Sequence, residues 1–228
     1  MDLTILGKYG PYSNNGKGAT SGYLYSEGDL KLLLDIGSGT LTRLLKIYDI
    51  SEIDGIFISH LHNDHVADFL PLIYLLEMKK ITIDVYVQKS DLGIYTVLFN
   101  SPNVNVINID ENSKINIKGK NISFYSMNHP IQTLGIKIEG ESVFAYTGDT
   151  KLCDNVYKLI DKCDVVLADC SNPPNFIGAH MTVKDAEKLL DKFDGFLIAT
   201  HIPPEYDNQY VFEKEGVIFA EENVTYSI

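Results

Sequence analysis

His60-Leu61-His62-Asn63-Asp64-His65 follows directly on the apolar run Gly55-Ile56-Phe57-Ile58-Ser59. Six consecutive positions therefore carry four side chains able to ligate a metal, and they use half of the chain's six histidines. If 55–59 is a strand, alternation places the imidazoles of His60 and His62 on the same side as the chain leaves the sheet. Asp64 and His65 then fall at a helix start, where the turning chain can aim them back at the same rim. Such a cluster still needs ligands from elsewhere, so its context can be checked against the rest of the sequence.

Three further apolar runs end the same way. Residues 122–127 lead into Asn128-His129-Pro130, 143–147 into Gly148-Asp149-Thr150, and 196–200 into His201. Each puts a metal-competent side chain just past the C-terminal end of a strand. Gly148 leaves room for close backbone approach beside Asp149.

Period-two and β-branched patterning predicts strands at 3–6, 22–26, 31–36, 55–59, 81–87, 104–109, 114–117, 122–127, 134–139, 143–147, 165–168 and 196–200. Helices are expected at 41–48, 64–78, 91–99, 154–162 and 183–193. Thr182 with Asp185 reads as the N-cap of the last helix, and Gly195 as its exit. Strand-rich stretches interrupted by helices predict an α/β arrangement of two sheets packed face to face with helices outside. The loop 8–22 and the proline-containing segment 202–209 are expected to shape a pocket.

The bulk properties narrow the function. At 228 residues with 45% hydrophobic content, the chain has ample material for one domain spanning 1–228. No apolar run approaches the ~20 residues that span a bilayer, and no basic segment followed by an apolar one opens the chain. Three cysteines, Cys153, Cys163 and Cys170, form no Cys-x-x-Cys pair, which points to a reducing, cytoplasmic setting. Cys170 reads as a small buried thiol. The net charge of −12, with Arg43 the lone arginine among 19 basic side chains, argues against broad nucleic-acid binding.

Together, His60-x-His62-x-Asp64-His65, His129, Asp149 and His201 resemble the metallo-β-lactamase-fold hydrolase superfamily. The resemblance implies a four-layer αββα sandwich of two mixed sheets and a dinuclear centre. His60, His62 and His129 would hold one metal, Asp64, His65 and His201 the other, and Asp149 would bridge them. Imidazole with carboxylate suits Zn²⁺, and Mn²⁺ can also occupy such sites. Asp35, in Asp35-Ile36-Gly37, matches the superfamily's first motif aspartate, which supports a ligating histidine without being a ligand. Di-iron members tend to carry a carboxylate where this chain has His62, which favours hydrolysis over oxygen chemistry.

His180, in Gly178-Ala179-His180-Met181-Thr182, and Asp169, after the strand 165–168, narrow the resemblance further. They resemble the acid–histidine dyad of the ribonuclease Z and phosphodiesterase branch, in which Glu is the usual acid; Asp169 is one methylene shorter. A histidine oriented by a carboxylate can protonate the alkoxide expelled when a hydroxide held between two metals attacks phosphorus. Asp64, Asp169 and His180 are thus the expected catalytic residues, Asp64 doubling as a ligand. Only 20 positions separate His129 from Asp149, too few for the extended arm with which ribonuclease Z grips tRNA. The chain looks more like short, armless bacterial members that share Thr-Ser-Gly-Tyr-Leu, here 20–24, and Asp-x-Gly-Ser-Gly, here 35–39. The leading expectation is a phosphodiesterase for a small or cyclic nucleotide-type phosphodiester, with no membrane partner and a homodimer suggested by the resemblance alone. A tRNA 3′ endonuclease is the alternative, and thioester, lactone or β-lactam hydrolysis a further one.

Overall fold

The structure is a computed structural model that describes residues 1–13, 16–207 and 209–228. Asn14 and Asn15 of the expected pocket loop, and Asn208 of the second segment, lie outside the described residues. In chain order the first half runs β1 (Asp2–Gly7), β2 (Gly22–Glu27), β3 (Leu30–Leu34), α1 (Thr40–Leu44), β4 (Gly55–Phe57), α2 (Asn63–Val66), α3 (Phe69–Lys79), β5 (Ile83–Val87), α4 (Gly93–Phe99) and β6 (Val104–Asn108). The second runs β7 (Lys114–Ile117), β8 (Lys120–Ser126), β9 (Leu134–Glu139), β10 (Val143–Tyr146), α5 (Asp154–Ile160), β11 (Val165–Asp169), α6 (Val183–Leu189), β12 (Phe196–Thr200), β13 (Val217–Phe219) and β14 (Thr225–Ser227).

The strands form two seven-stranded mixed sheets, ordered β14-β1-β2-β3-β4-β5-β6 and β13-β12-β11-β10-β9-β8-β7. Alternation along each strand explains the layers. Tyr23, Tyr25, Leu32, Leu34 and Phe57 point across to Phe124, Ile136, Phe144 and Tyr146 of the other sheet, forming the inter-sheet core. Their neighbours Leu24, Leu33 and Ile56 face outward, where they meet Phe69, Leu72 and Leu76 of α3. On the second sheet, Val166, Ala168 and Leu197 meet Val156 and Leu159 of α5 and Ala186 and Leu189 of α6. The helix–sheet–sheet–helix order is the expected one.

Local details depart from the sequence expectation. The helix expected at 64–78 is two helices, α2 and α3. Pro71 has no N–H to donate to Ala67, so an unbroken helix loses a bond there. The carbonyl of His65, which a continuous helix would pair with Phe69, instead accepts from Ile36 N at 2.8 Å. Asp68 is drawn the same way, its Oδ2 accepting from Leu41 N at 3.0 Å. The last helix begins as expected, with Thr182 and Asp185 forming a reciprocal capping box, but it ends at Leu189, so Gly195 is not its cap. Two strands, β13 and β14, were not foreseen; each has three residues and extends one sheet edge through long-range pairing.

Candidate metal centre

The polar clusters emerge where β3, β4, β8, β10, β11 and β12 end, along one rim of the sandwich. Asp35 follows β3 in a left-handed conformation, φ 58°, and is fully buried. Its Oδ1 accepts from Ser59 N at 2.7 Å. Its Oδ2 accepts from Ser59 Oγ, from the Tyr146 hydroxyl and from His65 Nδ1, each at 2.7 Å. A carboxylate only accepts, so Nδ1 of His65 carries a proton and Nε2 faces the cluster. Asp35 therefore orients His65, in keeping with the supporting role implied by the sequence.

The second sheet supplies His129 after β8, Asp149 after β10 and His201 after β12. His201 is also left-handed, φ 60°. Its Nδ1 lies 3.0 Å from Ser21 Oγ, and its Nε2 reaches to 3.2 Å from Asp149 Oδ2. Gly10 permits this placement, because a Cβ there would stand 2.1 Å from His201 Cε1. The two loop segments are tied to each other, since Lys8 Nζ and the Tyr9 hydroxyl both bond to Asp207 at 2.7 Å.

Asp149 is the hub. Its Oδ2 lies 3.5 Å from His60 Nε2 and 3.9 Å from His129 Nε2, while its Oδ1 lies 3.3 Å from His65 Nε2. His62 Nδ1 sits 3.0 Å from His60 Nε2 and 3.2 Å from His129 Nε2. Asp64 Oδ2 is 3.6 Å from His65 Nε2 and 3.7 Å from His201 Nε2. The side chains thus gather as His60, His62, His129 and Asp149, and as Asp64, His65 and His201, two groups each compact enough to hold a metal ion. All seven residues expected as ligands meet here.

The donor set fits a borderline divalent cation. His65 Nε2 and Asp149 Oδ1 are buried with no hydrogen-bond partner among the described residues, and groups so buried cost free energy unless something satisfies them. Burial holds His60, His62 and His129 below the usual imidazole range, with neighbouring His65 adding to the effect at His60. Neutral imidazoles offer lone pairs. Burial alone would raise Asp149, but His201, His65 and His60 outweigh it and keep the carboxyl well below the usual range. Nitrogen lone pairs converging on an anionic oxygen are what Zn²⁺-type ions take.

Asp169, the last residue of β11, lies beside this cluster. Its Oδ2 accepts from His180 Nδ1 and from Thr150 N, each at 2.9 Å, and its Oδ1 accepts from Ser171 N at 3.0 Å. Asp169 therefore reaches His180 despite being one methylene shorter than Glu. His180 Nδ1 is also 3.8 Å from Asp149 Oδ2, and its side chain is 23% exposed against 0–4% for His60, His65, His129 and His201. Burial would lower its pKa, but the charge and hydrogen bond of Asp169, with Asp149 behind, push it up to about 9. Asp149, His180 and His201 form a third close group; the His180 Nδ1 proton is already committed to Asp169. Outside His180 opens a cavity of about 330 Å³. Cys170 beside the dyad is buried, as expected.

Sequence reading missed the residues that hold these groups in place: Ser21, Ser59, Tyr146 and Thr150. Ser59 adjoins the motif and Thr150 adjoins Asp149, but nothing in their spacing marks them as supports.

A family profile described as β-lactamase superfamily domain matches residues 32–202, three-quarters of the chain. The protein belongs to the β-lactamase superfamily. Within that superfamily the chain is 26% identical over 214 residues to the probable metallo-hydrolase YhfI of Bacillus subtilis, covering 89% of this chain and 87% of that one. The crystal structure of YhfI superposes with a TM-score of 0.88 at 24% identity, covering 99% and 98%. The ribonuclease Z of Saccharolobus solfataricus is 26% identical over 268 residues, covering 91% and 90%. A diphosphatase of the PhnP family shares the fold, with a TM-score of 0.79 at 16% identity, covering 100% and 97%. Membership of a metallo-hydrolase superfamily implies divalent metal ions, and the His/Asp cluster is where this chain could hold them. Among the described residues no helix is long and apolar enough to cross a membrane.

Proposed function

We propose that the protein is a metal-dependent phosphodiesterase acting on a small or cyclic nucleotide-type phosphodiester. The observation that carries this reading is the 2.9 Å Asp169–His180 pair, beside the ligand cluster yet open to a cavity. His60, His62 and His129 would hold one divalent ion and Asp64, His65 and His201 a second, with Asp149 shared; Zn²⁺ suits these donors best and Mn²⁺ is the second choice. When bound, such ions supply an acidified water and polarise the phosphoryl oxygens.

The rest of the chemistry belongs to the chain. Hydrolysis forms one P–O bond to water and breaks the P–O bond to the leaving alkoxide, which must gain a proton. His180, kept protonated at neutral pH by Asp169, donates that proton and recovers one from solvent. Asp169 cannot drift, because Thr150 N and Ser171 N hold both its oxygens. Asp35 fixes the face that His65 presents.

A tRNA 3′ endonuclease is the second reading, favoured by the likeness to the Saccharolobus ribonuclease Z. Against it, β9 and β10 form a plain hairpin between His129 and Asp149, with no arm inserted. Thioester hydrolysis expels a thiolate that needs no proton and leaves the Asp169–His180 pair without a task, whereas lactone or β-lactam hydrolysis, whose leaving groups take one, is separated from phosphodiester cleavage by the substrate assay.

The test is His180→Ala in metal-loaded protein, assayed on two phosphodiesters. A nitrophenolate departs without a proton, whereas an alkoxide needs one. The variant should keep its metal content and lose far more turnover on a dialkyl phosphodiester than on the nitrophenyl ester. Equal losses on both, or rapid lactam or thioester turnover untouched by the substitution, would overturn the reading. Saturable cleavage of precursor tRNA would establish the endonuclease instead.

A further inference from the structure

The cavity outside His180 differs in charge from the rest of the molecule. Its lining includes Lys151, Lys184 and Lys188 against a single carboxylate, Asp185, in a chain of net charge −12. Lys188 is committed to Asp185 at 2.7 Å. Lys184, one turn earlier on α6, donates only to the neutral Asn175 Oδ1 at 2.8 Å. The Lys151 ammonium has no partner among the described residues and is two positions from Asp149. Two cations therefore stand unneutralised by any carboxylate beside the proton donor, and such a focus of positive potential selects anions. Phe176, 55% exposed, borders the same space. A Cβ at Gly178 would come within 2.8 Å of the Phe176 ring, so Gly178 is what lets that ring lie close against the backbone.

We infer that this cleft receives the leaving-group half of the substrate, and that this half is a nucleoside bearing a second phosphate. Lys151 and Lys184 take the second phosphate, Phe176 stacks on the planar base, and His180 protonates the oxygen between that nucleoside and the scissile phosphorus. The inference rests on the phosphodiesterase reading for the position of His180. It selects phosphorylated linear dinucleotides and cyclic dinucleotides over cyclic mononucleotides, which carry one phosphate only. Charge-assisted bonds from lysine to phosphate supply the discrimination.

The experiment compares diadenylate without a terminal phosphate with the same dinucleotide phosphorylated at its 5′ or its 3′ end, so the scissile bond is constant. Metal-loaded full-length protein should show a KM about tenfold lower for at least one phosphorylated form, a charged hydrogen bond or two being worth at least that. Lys151→Ala/Lys184→Ala should bring the ratio of the two KM values to about one, while Lys46→Ala, an exposed lysine outside the cleft, should leave it at about ten. The same three ligands are then titrated calorimetrically into the protein with and without added Zn²⁺, where the preference should appear in Kd and vanish in the double variant. A protein that cleaves neither the dinucleotides nor the nitrophenyl and dialkyl phosphodiesters but shows that lysine-dependent binding preference refutes the phosphodiesterase reading and supports the cleft as a site for a phosphorylated nucleoside. Equal KM and Kd values for all three dinucleotides, or a preference that survives the double substitution, overturn the cleft assignment.

Discussion

Asp169→Asn tests the proposed proton donor almost without changing shape. The carboxylate accepts three hydrogen bonds: Thr150 N and His180 Nδ1 on Oδ2, Ser171 N on Oδ1. An asparagine keeps its oxygen toward Thr150 and His180 and turns its NH₂ on Ser171 N, leaving that donor unpaired at a cost of about 1–3 kcal/mol in folding stability. The larger effect is on His180. Without the Asp169 charge, burial weighs more heavily and the imidazole falls from about 9 toward its ordinary value. A full return from about 9 to the ordinary 6.5 would drop the protonated fraction at pH 8 from about 0.9 to about 0.03, which sets about thirtyfold as the upper bound on the loss of turnover limited by His180. Cations beside Asp149 offset its share of the elevation, so the upper limb of the holoenzyme profile lies below 9 in both proteins, but the downward displacement on losing Asp169 remains. The assay is kcat against pH for a dialkyl phosphodiester, with a nitrophenyl ester as control. A linked effect appears in stability. The raised His180 pKa adds stability that is full below about 6.5 and lost as pH rises through about 9, so in chelator the wild type should lose more urea resistance over that window than the variant. An unmoved upper pKa, or identical losses on both esters, would refute the argument.

Three other perturbations probe the cluster itself. Gly10→Ala forces a Cβ to within 2.1 Å of the His201 ring; the ring must move, and divalent-metal affinity measured by calorimetry should weaken about 10- to 100-fold, as for other disturbed ligand supports. Asp35→Ala strips four hydrogen bonds from a buried carboxylate and should cost about 3–5 kcal/mol in urea unfolding, whereas Tyr146→Phe, which removes one of them, should cost about 1–2 kcal/mol; equal effects would mean Asp35 does not organise the site. Metal loading should reach two divalent ions per chain by elemental analysis and stabilise the fold by about 2.7 kcal/mol per site at a hundredfold excess over Kd. Burial pulls His65 and His201 down, but Asp149, joined by Asp35 at His65 and by Asp169 and Asp64 at His201, outweighs it and lifts both above the usual imidazole range, so metal affinity should rise as pH increases through neutrality and above; a flat pH dependence or one ion per chain would contradict the two-site assignment.

What the sequence made legible follows from locality. His60, His129, Asp149 and His201 each follow an apolar strand, and His62, Asp64 and His65 continue the first of these motifs into α2, so a few adjacent residues reveal both the side chain and its placement. The Asp169–His180 contact was legible as a resemblance, but only the 2.9 Å distance shows that the shorter acid reaches. The break between α2 and α3 had a local signal in Pro71 that the apolar periodicity of 64–78 overrode; its other cause, Ile36 N taking the His65 carbonyl, is a contact between strands and helix that no window of sequence contains. The edge strands β13 and β14 fail for the same reason, since three residues hold no period and their pairing partners lie far along the chain. Tyr146 reads as one more aromatic in a strand, and its hydroxyl on Asp35 spans 111 positions.

The topology explains why one aspartate orients and another can bind. In each sheet three antiparallel pairings give way to three parallel ones, at β3 in the first and at β10 in the second. Crevices open at the carboxyl ends of strands where the order switches, and a carboxylate follows each of these two strands, Asp35 and Asp149. Their equivalence ends with their partners. Asp35 accepts four hydrogen bonds from Ser59, Tyr146 and His65, three of them on Oδ2, so its carboxylate is already engaged as a support. Asp149 faces only imidazoles and keeps Oδ1 unpaired. The first sheet supplies His60, His62, Asp64 and His65 and the second His129, Asp149 and His201, so a cation on either group joins the two sheets across their seam. Removing metal should therefore loosen the contact between sheets before it unravels either one, and amides near Asp35 and Asp149 should lose hydrogen-exchange protection ahead of those in β1 and β8. Uniform loss along all strands would show that the cluster is not the clasp between the sheets.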